Sequence, residues 1–131
     1  LEGGARAVPS ENGGFLQVSG LTYEIHTGVA SSAEKDENGM FTRVSGEYRV
    51  KNVMVGGQPL ELDKTYTLAS HNYMLLGHGD GYTMFDGCEV LGEDMMVDNQ
   101  VLITYITTTL GGVVGEQYAN PYGDGRIVAV E

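Results

Sequence analysis

A single cysteine in 131 residues has no partner for an internal disulfide, so packing alone must hold the fold. Cys88 then reads as a small, half-buried apolar residue rather than a reactive thiol. Basic residues are scarce as well: seven Lys and Arg against 18 Asp and Glu leave a formal net charge of −11. That balance repels phosphate backbones and anionic lipid surfaces, and no basic run offsets it, so nucleic-acid polymers are excluded as partners. No apolar stretch approaches membrane-spanning length, and no membrane insertion is expected. The three histidines, His26, His71 and His78, lack zinc spacing and have no cysteine pair beside them.

What the chain does have is glycine, 20 residues of it, with 41% hydrophobic residues. A length of 131 residues suits one folded, loop-rich domain with a single core. The opening "LEGGARAVPSENGG" reads as the tail of a helix running into a loop. With no methionine or signal peptide at Leu1, the expectation is one domain over residues 1–131, cut from a larger protein and truncated on its N-terminal side.

Strand composition follows in "FLQVSGLTYEIHTG", broken at Ser19-Gly20, which predicts two short strands near 15–18 and 21–26. Residues 28–41 lack periodicity and predict an exposed loop. A strand around 47–55, a turn at Gly56-Gly57 and a second strand around 65–71 come next, the Gly-Gly pair suiting a tight hairpin even though "QPLELDK" lengthens the connection. "VDNQVLITYITTTLGG" puts Val101, Leu102, Tyr105, Ile106 and Leu110 on one helical face, with Asp98 as N-cap and Gly111-Gly112 as the close. Its threonines and isoleucines also suit a strand. "RIVAVE" reads as the last strand, and the mixture of hairpins with one or two helices argues an α+β fold with a mixed sheet.

Several chemistries fail on their spacing. "EKDENG" sets Glu34, Asp36, Asn38 and Gly39 at calcium-loop positions, but Ser45 stands where a bidentate glutamate is needed, so a solvated acidic loop is the better reading. Ser70, His71 and Asp80 are the residue types of a hydrolase triad, yet adjacent strand residues point to opposite faces and no nucleophile elbow is present. A dinuclear metal centre needs about five converging ligands, which the chain does not display. No catalytic and no metal-binding residue is therefore assigned.

"SHNYMLLGHGDGYTMF", residues 70–85, is the informative stretch. "GHGDG" has neither the lysine nor the Ser or Thr of a P-loop, and its aspartate repels phosphate. A carboxylate exposed by glycines suits hydroxyl partners, since it accepts hydrogen bonds from two neighbouring sugar hydroxyls, and a nearby ring supplies a stacking face. Ring plus carboxylate is the requirement of a nucleoside. The plainer alternative is that Asp80 braces its own turn and that Tyr73 and Tyr82 are core residues.

The order "GGFLQVSGLTYEI", "RVKNVMVGGQPLELDKTYTLASHNYM", "GHGDGYTMF", "VDNQVLITYI" and "GDGRI", from Gly13 to Ile127, resembles the C-terminal domain of the 5′-nucleotidase family, secreted and cell-surface metallophosphoesterases. The resemblance implies a domain that binds the nucleoside part of a nucleotide. It implies that chemistry and two divalent metals belong to an N-terminal metallophosphoesterase domain not contained in this chain, so the chain alone is expected to be inactive. It implies further that the base stacks between two rings, one matching Tyr73 with Asn72 beside it, the other from a strand upstream of this region. The aspartate of the family's GGDG loop, which contacts the ribose hydroxyls, matches Asp80, with Gly79 and Gly81 permitting the approach. Two departures stand out: His78 occupies a position where glycine is common, and one extra residue separates ring from aspartate, leaving open whether Tyr73 or Met74 faces the base. Phe15, Leu16 and Val18 are expected to pack on the sheet, and Tyr82, Met84 and Phe85 beneath the loop. An extracellular, periplasmic or cell-wall location follows from the same resemblance. A rival from another class is a non-catalytic carbohydrate-binding or adhesive surface module using the same ring and acid.

Overall fold

The structure, a computed structural model, describes residues 1–131. A short buried helix α1 (Glu2–Ala5) leads through an irregular segment to strand β1 (Leu21–His26). Strands β2 (Ala33–Lys35) and β3 (Phe41–Val44) form a hairpin, and β4 (Val50–Val55) and β5 (Gln58–Pro59) form another. Helix α2 (Asn72–Leu75), helix α3 (Asp98–Thr104) and strand β6 (Ile127–Val130) complete the α+β fold.

The main sheet has the order β5-β4-β1-β6, with β1 antiparallel to β4 and parallel to β6; β2 and β3 make a separate two-stranded sheet. Alternation decides the core. Tyr23 and Ile25 point inward from β1 and meet Val50 and Ala5, with Phe15, Val18, Leu21, Val53 and Ile127 packed round them. Each Val, Leu, Ile or Phe side chain among them contributes about 1.5–3 kcal/mol when fully buried. Helix α1 is fixed on this core by polar anchors: the Val50 N–H donates to Glu2 Oε1 at 2.6 Å, and Arg49 donates to the Val8 carbonyl at 2.9 Å. Glu2 Oε2 and Arg49 Nε are buried without a partner.

Strand β4 carries one extra residue between the pairs Thr22↔Met54 and Glu24↔Lys51. Asn52 takes up the bulge at φ 50°, a conformation Asn tolerates, and its amide donates to Glu24 Oε2 at 2.7 Å. Gly56 and Gly57, both at positive φ, close a two-residue hairpin between Val55 and Gln58, as the dipeptide predicts.

Four expectations need correction. Residues 15–18 join no sheet; they lie against α1, where the Leu16 carbonyl accepts from Tyr23 Oη at 3.4 Å and Leu16 approaches Gly4. Phe15 and Val18 do pack on the core. No strand forms at 65–71: the partner of β4 is β5, which ends at Pro59 because proline has no N–H to continue the ladder, and the chain then turns at 61–64. The loop predicted for 28–41 contains β2 and the start of β3, a hairpin closed by Asp36 Oδ1 accepting from the Asn38 and Met40 N–H groups at 2.9 Å and by the Arg43–Glu34 pair at 2.6 Å. The cap of α3 is Val97, in extended conformation, and Asp98 is the first helical residue.

Helix α3 runs into a π-helical turn, Tyr105–Thr109, and ends as predicted at Gly111-Gly112, where the Gly112 N–H donates to the Ile106 carbonyl at 2.8 Å. Its apolar face is nevertheless unburied. Val101, Leu102 and Tyr105 are exposed, and only Ile106 and Leu110 are half-buried. Charge divides along the chain as well: residues 1–64 hold six basic and nine acidic side chains, whereas residues 65–131 hold nine acidic side chains and Arg126 alone. No helix is long and apolar enough to cross a membrane.

Candidate functional site

Helix α2 begins after His71, whose extended backbone (φ −80°, ψ 155°) starts the turn, and it lasts a single turn. Neighbouring helical residues diverge by about 100°, since 3.6 complete a turn, so one of Tyr73 and Met74 must face inward. Met74 does, at 6% exposure, while Tyr73 is 57% exposed. Tyr73 is therefore the outward side chain of the pair. The His71 ring lies beside it, centroids 6.0 Å apart and tilted by 30°.

The N–H groups of Leu76 and Gly77 both donate to the Asn72 carbonyl at 2.9 Å, closing α2. A sharp turn follows. His78 (φ 54°, ψ 28°) and Asp80 (φ 55°, ψ 16°) are both left-handed, flanking Gly79, at a cost of about 1–2 kcal/mol each. Strain of this kind persists only where surroundings over-determine it. They do so at two glycines. A Cβ on Gly79 would fall 2.2 Å from Cε1 of Tyr73, because the ring crosses directly over this residue. A Cβ on Gly81, at φ 85°, would fall 2.1 Å from the Phe41 carbonyl oxygen of β3. The turn is thus wedged between an outward ring and a strand.

Beneath it Tyr82 is the anchor, 2% exposed, its hydroxyl donating to the Gly14 carbonyl at 2.9 Å and its ring 6.2 Å from that of Phe41. Burial pushes the Tyr82 phenol above its ordinary pKa, with Arg6 opposing the shift. Met84, expected beside it, and Cys88, expected half-buried, are exposed instead, because the chain leaves the core after Tyr82. His78 Nε2 lies 2.6 Å from Asp86 Oδ1, which ties the turn to the segment that follows.

Asn72 and Tyr73 share an open hollow of about 460 Å³ with Leu76 and Gly77. Such a surface offers one ring for stacking and an amide that donates and accepts at a base edge. Asp80 is not on its lining. The Asp80 carboxylate, 27% exposed, lies against Gly14 with Arg6 Nη2 at 3.7 Å from Oδ1. Arg6 and Gly14 escaped the reading of the sequence, since nothing local links them to a residue more than 60 positions away. A second hollow, of about 260 Å³ at the β4–β5 turn, includes Arg126, whose guanidinium is already 2.7 Å from Asp124 and donates to the Val18 carbonyl. No group of three or more His, Cys, Asp or Glu side chains is arranged to hold a metal ion.

The loop and its anchors fall within residues 1–87, which match the family described as 5′-nucleotidase, C-terminal domain. The chain belongs to that family. It is also similar to Protein UshA of Yersinia enterocolitica (serotype O:8 / biotype 1B), 42% identical over 57 residues that cover 44% of this chain and 10% of that protein. The matched stretch is thus about a tenth of the relative's length. No solved structure matches. The likeness noted at residues 97–106 and 123–127 lies beyond the matched span.

Proposed function

We propose that this chain is the nucleoside-recognition domain of a 5′-nucleotidase-type phosphoesterase. Tyr73 stacks the base, Asn72 meets its edge, Asp80 accepts hydrogen bonds from the ribose hydroxyls, and Gly79 and Gly81 give the turn its shape. Phosphoester hydrolysis falls to an N-terminal metallophosphoesterase domain holding two divalent metals. The protein acts outside the cytoplasm, in the periplasm, at the wall or beyond the cell. The observation that carries this reading is the outward Tyr73 ring lying across Gly79, next to a strained aspartate, within the family-matched span.

The test is a titration of the chain with adenosine and with uridine, followed by amide chemical shifts. Changes are expected within residues 71–82, and Tyr73→Ala should weaken binding about tenfold or more, stacking being worth roughly 1–3 kcal/mol per base. The chain alone should release no phosphate from AMP. Shift changes scattered over the surface and indifferent to Tyr73→Ala would overturn the reading.

A further inference from the structure

Arg6 lies at the end of α1 with its side chain only 7% exposed. Its Nη1 donates to the Gly3 carbonyl at 2.6 Å, which fixes the guanidinium, and its Nη2 stands 3.7 Å from Asp80 Oδ1. On the other side the carboxylate rests on Gly14, where a Cβ would come within 2.9 Å of Asp80 Cγ. Gly14 is held in turn: its carbonyl accepts from Tyr82, its N–H donates to Asn12 Oδ1 at 3.3 Å, and Asn12 Nδ2 donates to the Gly4 carbonyl at 2.8 Å. The aspartate side chain therefore sits between a fixed cation and a fixed strip of backbone, on a left-handed residue.

At 3.7 Å the pair is longer than a hydrogen bond, and the Asp80 carboxylate keeps contact with solvent, so the Coulomb gain adds little to stability. What an anchored guanidinium supplies is orientation. A carboxylate has about four lone-pair directions, and one neighbour at 3.7 Å leaves most of them to a ligand. We propose that Arg6 is a positioning residue for Asp80: anchored on Gly3, it holds the carboxylate where it meets a vicinal diol, and so sets the preference for ribosides over dideoxyribosides. This inference rests on the nucleoside reading above.

Binding of adenosine and of 2′,3′-dideoxyadenosine to the full protein tests it, for the wild type and for Arg6→Gln, Arg6→Lys, Gly14→Ala and Asp80→Asn, with the thermal midpoint of each. Arg6→Gln should lower the adenosine preference at least fivefold while leaving dideoxyadenosine affinity unchanged, and Arg6→Lys should restore most of it. Gly14→Ala, whose methyl displaces the same carboxylate from the opposite side, should lower the preference as well and serves in place of Arg6→Gln if that variant does not fold. A preference intact in Arg6→Gln and Gly14→Ala but lost in Asp80→Asn overturns the role of Arg6 and leaves the nucleoside reading standing. A preference intact in Asp80→Asn overturns both. Equal losses for the two ligands in Arg6→Gln, with a lowered midpoint, make Arg6 a brace for the fold and overturn the proposal.

Discussion

Gly79 and Tyr73 form one unit, because the ring occupies the space any side chain at 79 would need. Gly79→Ala should push the ring off the turn and weaken nucleoside binding to about the same extent as Tyr73→Ala, roughly tenfold. The measurement is the same titration, and a Gly79→Ala protein that binds normally would separate ring from turn. Gly81→Ala meets backbone rather than a movable ring, at a φ of 85°. It should cost about 2 kcal/mol or more and appear as a lower urea midpoint with an unchanged slope. Tyr23 responds to base. Burial, with the nearby Tyr82 adding to it, pushes its phenol up to about 12. The neutral phenol's contribution is therefore complete below the ordinary tyrosine value near 10 and is lost as the pH rises toward 12. The thermal midpoint should fall across that window, and less so in Tyr23→Phe.

At the scale of elements, legibility tracked burial. Strand β1 was readable at 21–26 because its alternation is the imprint of a one-sided core, and β6 because "RIVAVE" is uninterrupted. The β2–β3 hairpin was not, since its strands are short, only Phe41 of their seven residues is buried, and Asp36 rather than an apolar pattern closes it. The false strand at 65–71 had strand composition but no free ladder to join once Pro59 ended β5. For the loop, residue type and family likeness single out Tyr73, Asp80 and the glycines as candidates; the direction of the Asp80 carboxylate is not legible in the sequence, because Arg6 and Gly14 approach it only in three dimensions. Helix α3 shows the remaining gap: its face was periodic, yet none of its residues is buried. Helices shorter than about 12–15 residues are marginal in water without packing. Amides in 98–109 should thus exchange with solvent almost unprotected in this chain, while those of β1 and β4 reach the protection of global unfolding. Equal protection in both would mean that α3 has found a packing partner.

For the whole molecule, eight of the eleven net negative charges fall on residues 65–131, the half that carries Tyr73 and Asp80. A nucleotide differs from its nucleoside by an anion that this half repels. At low ionic strength adenosine should bind the chain more tightly than AMP, and the gap should close as salt rises to about 0.15 M and beyond, where fields are screened within about 8 Å. Titrations of both ligands at two salt concentrations measure this, and a gap indifferent to salt would remove charge from the account.

Under the proposed function, the scarcity of cations beyond Lys64 would act as a compass needle for an arriving nucleotide. With Tyr73 and Asp80 in the roles proposed above, the base and sugar would lead and the phosphate would trail toward solvent before a single contact had formed.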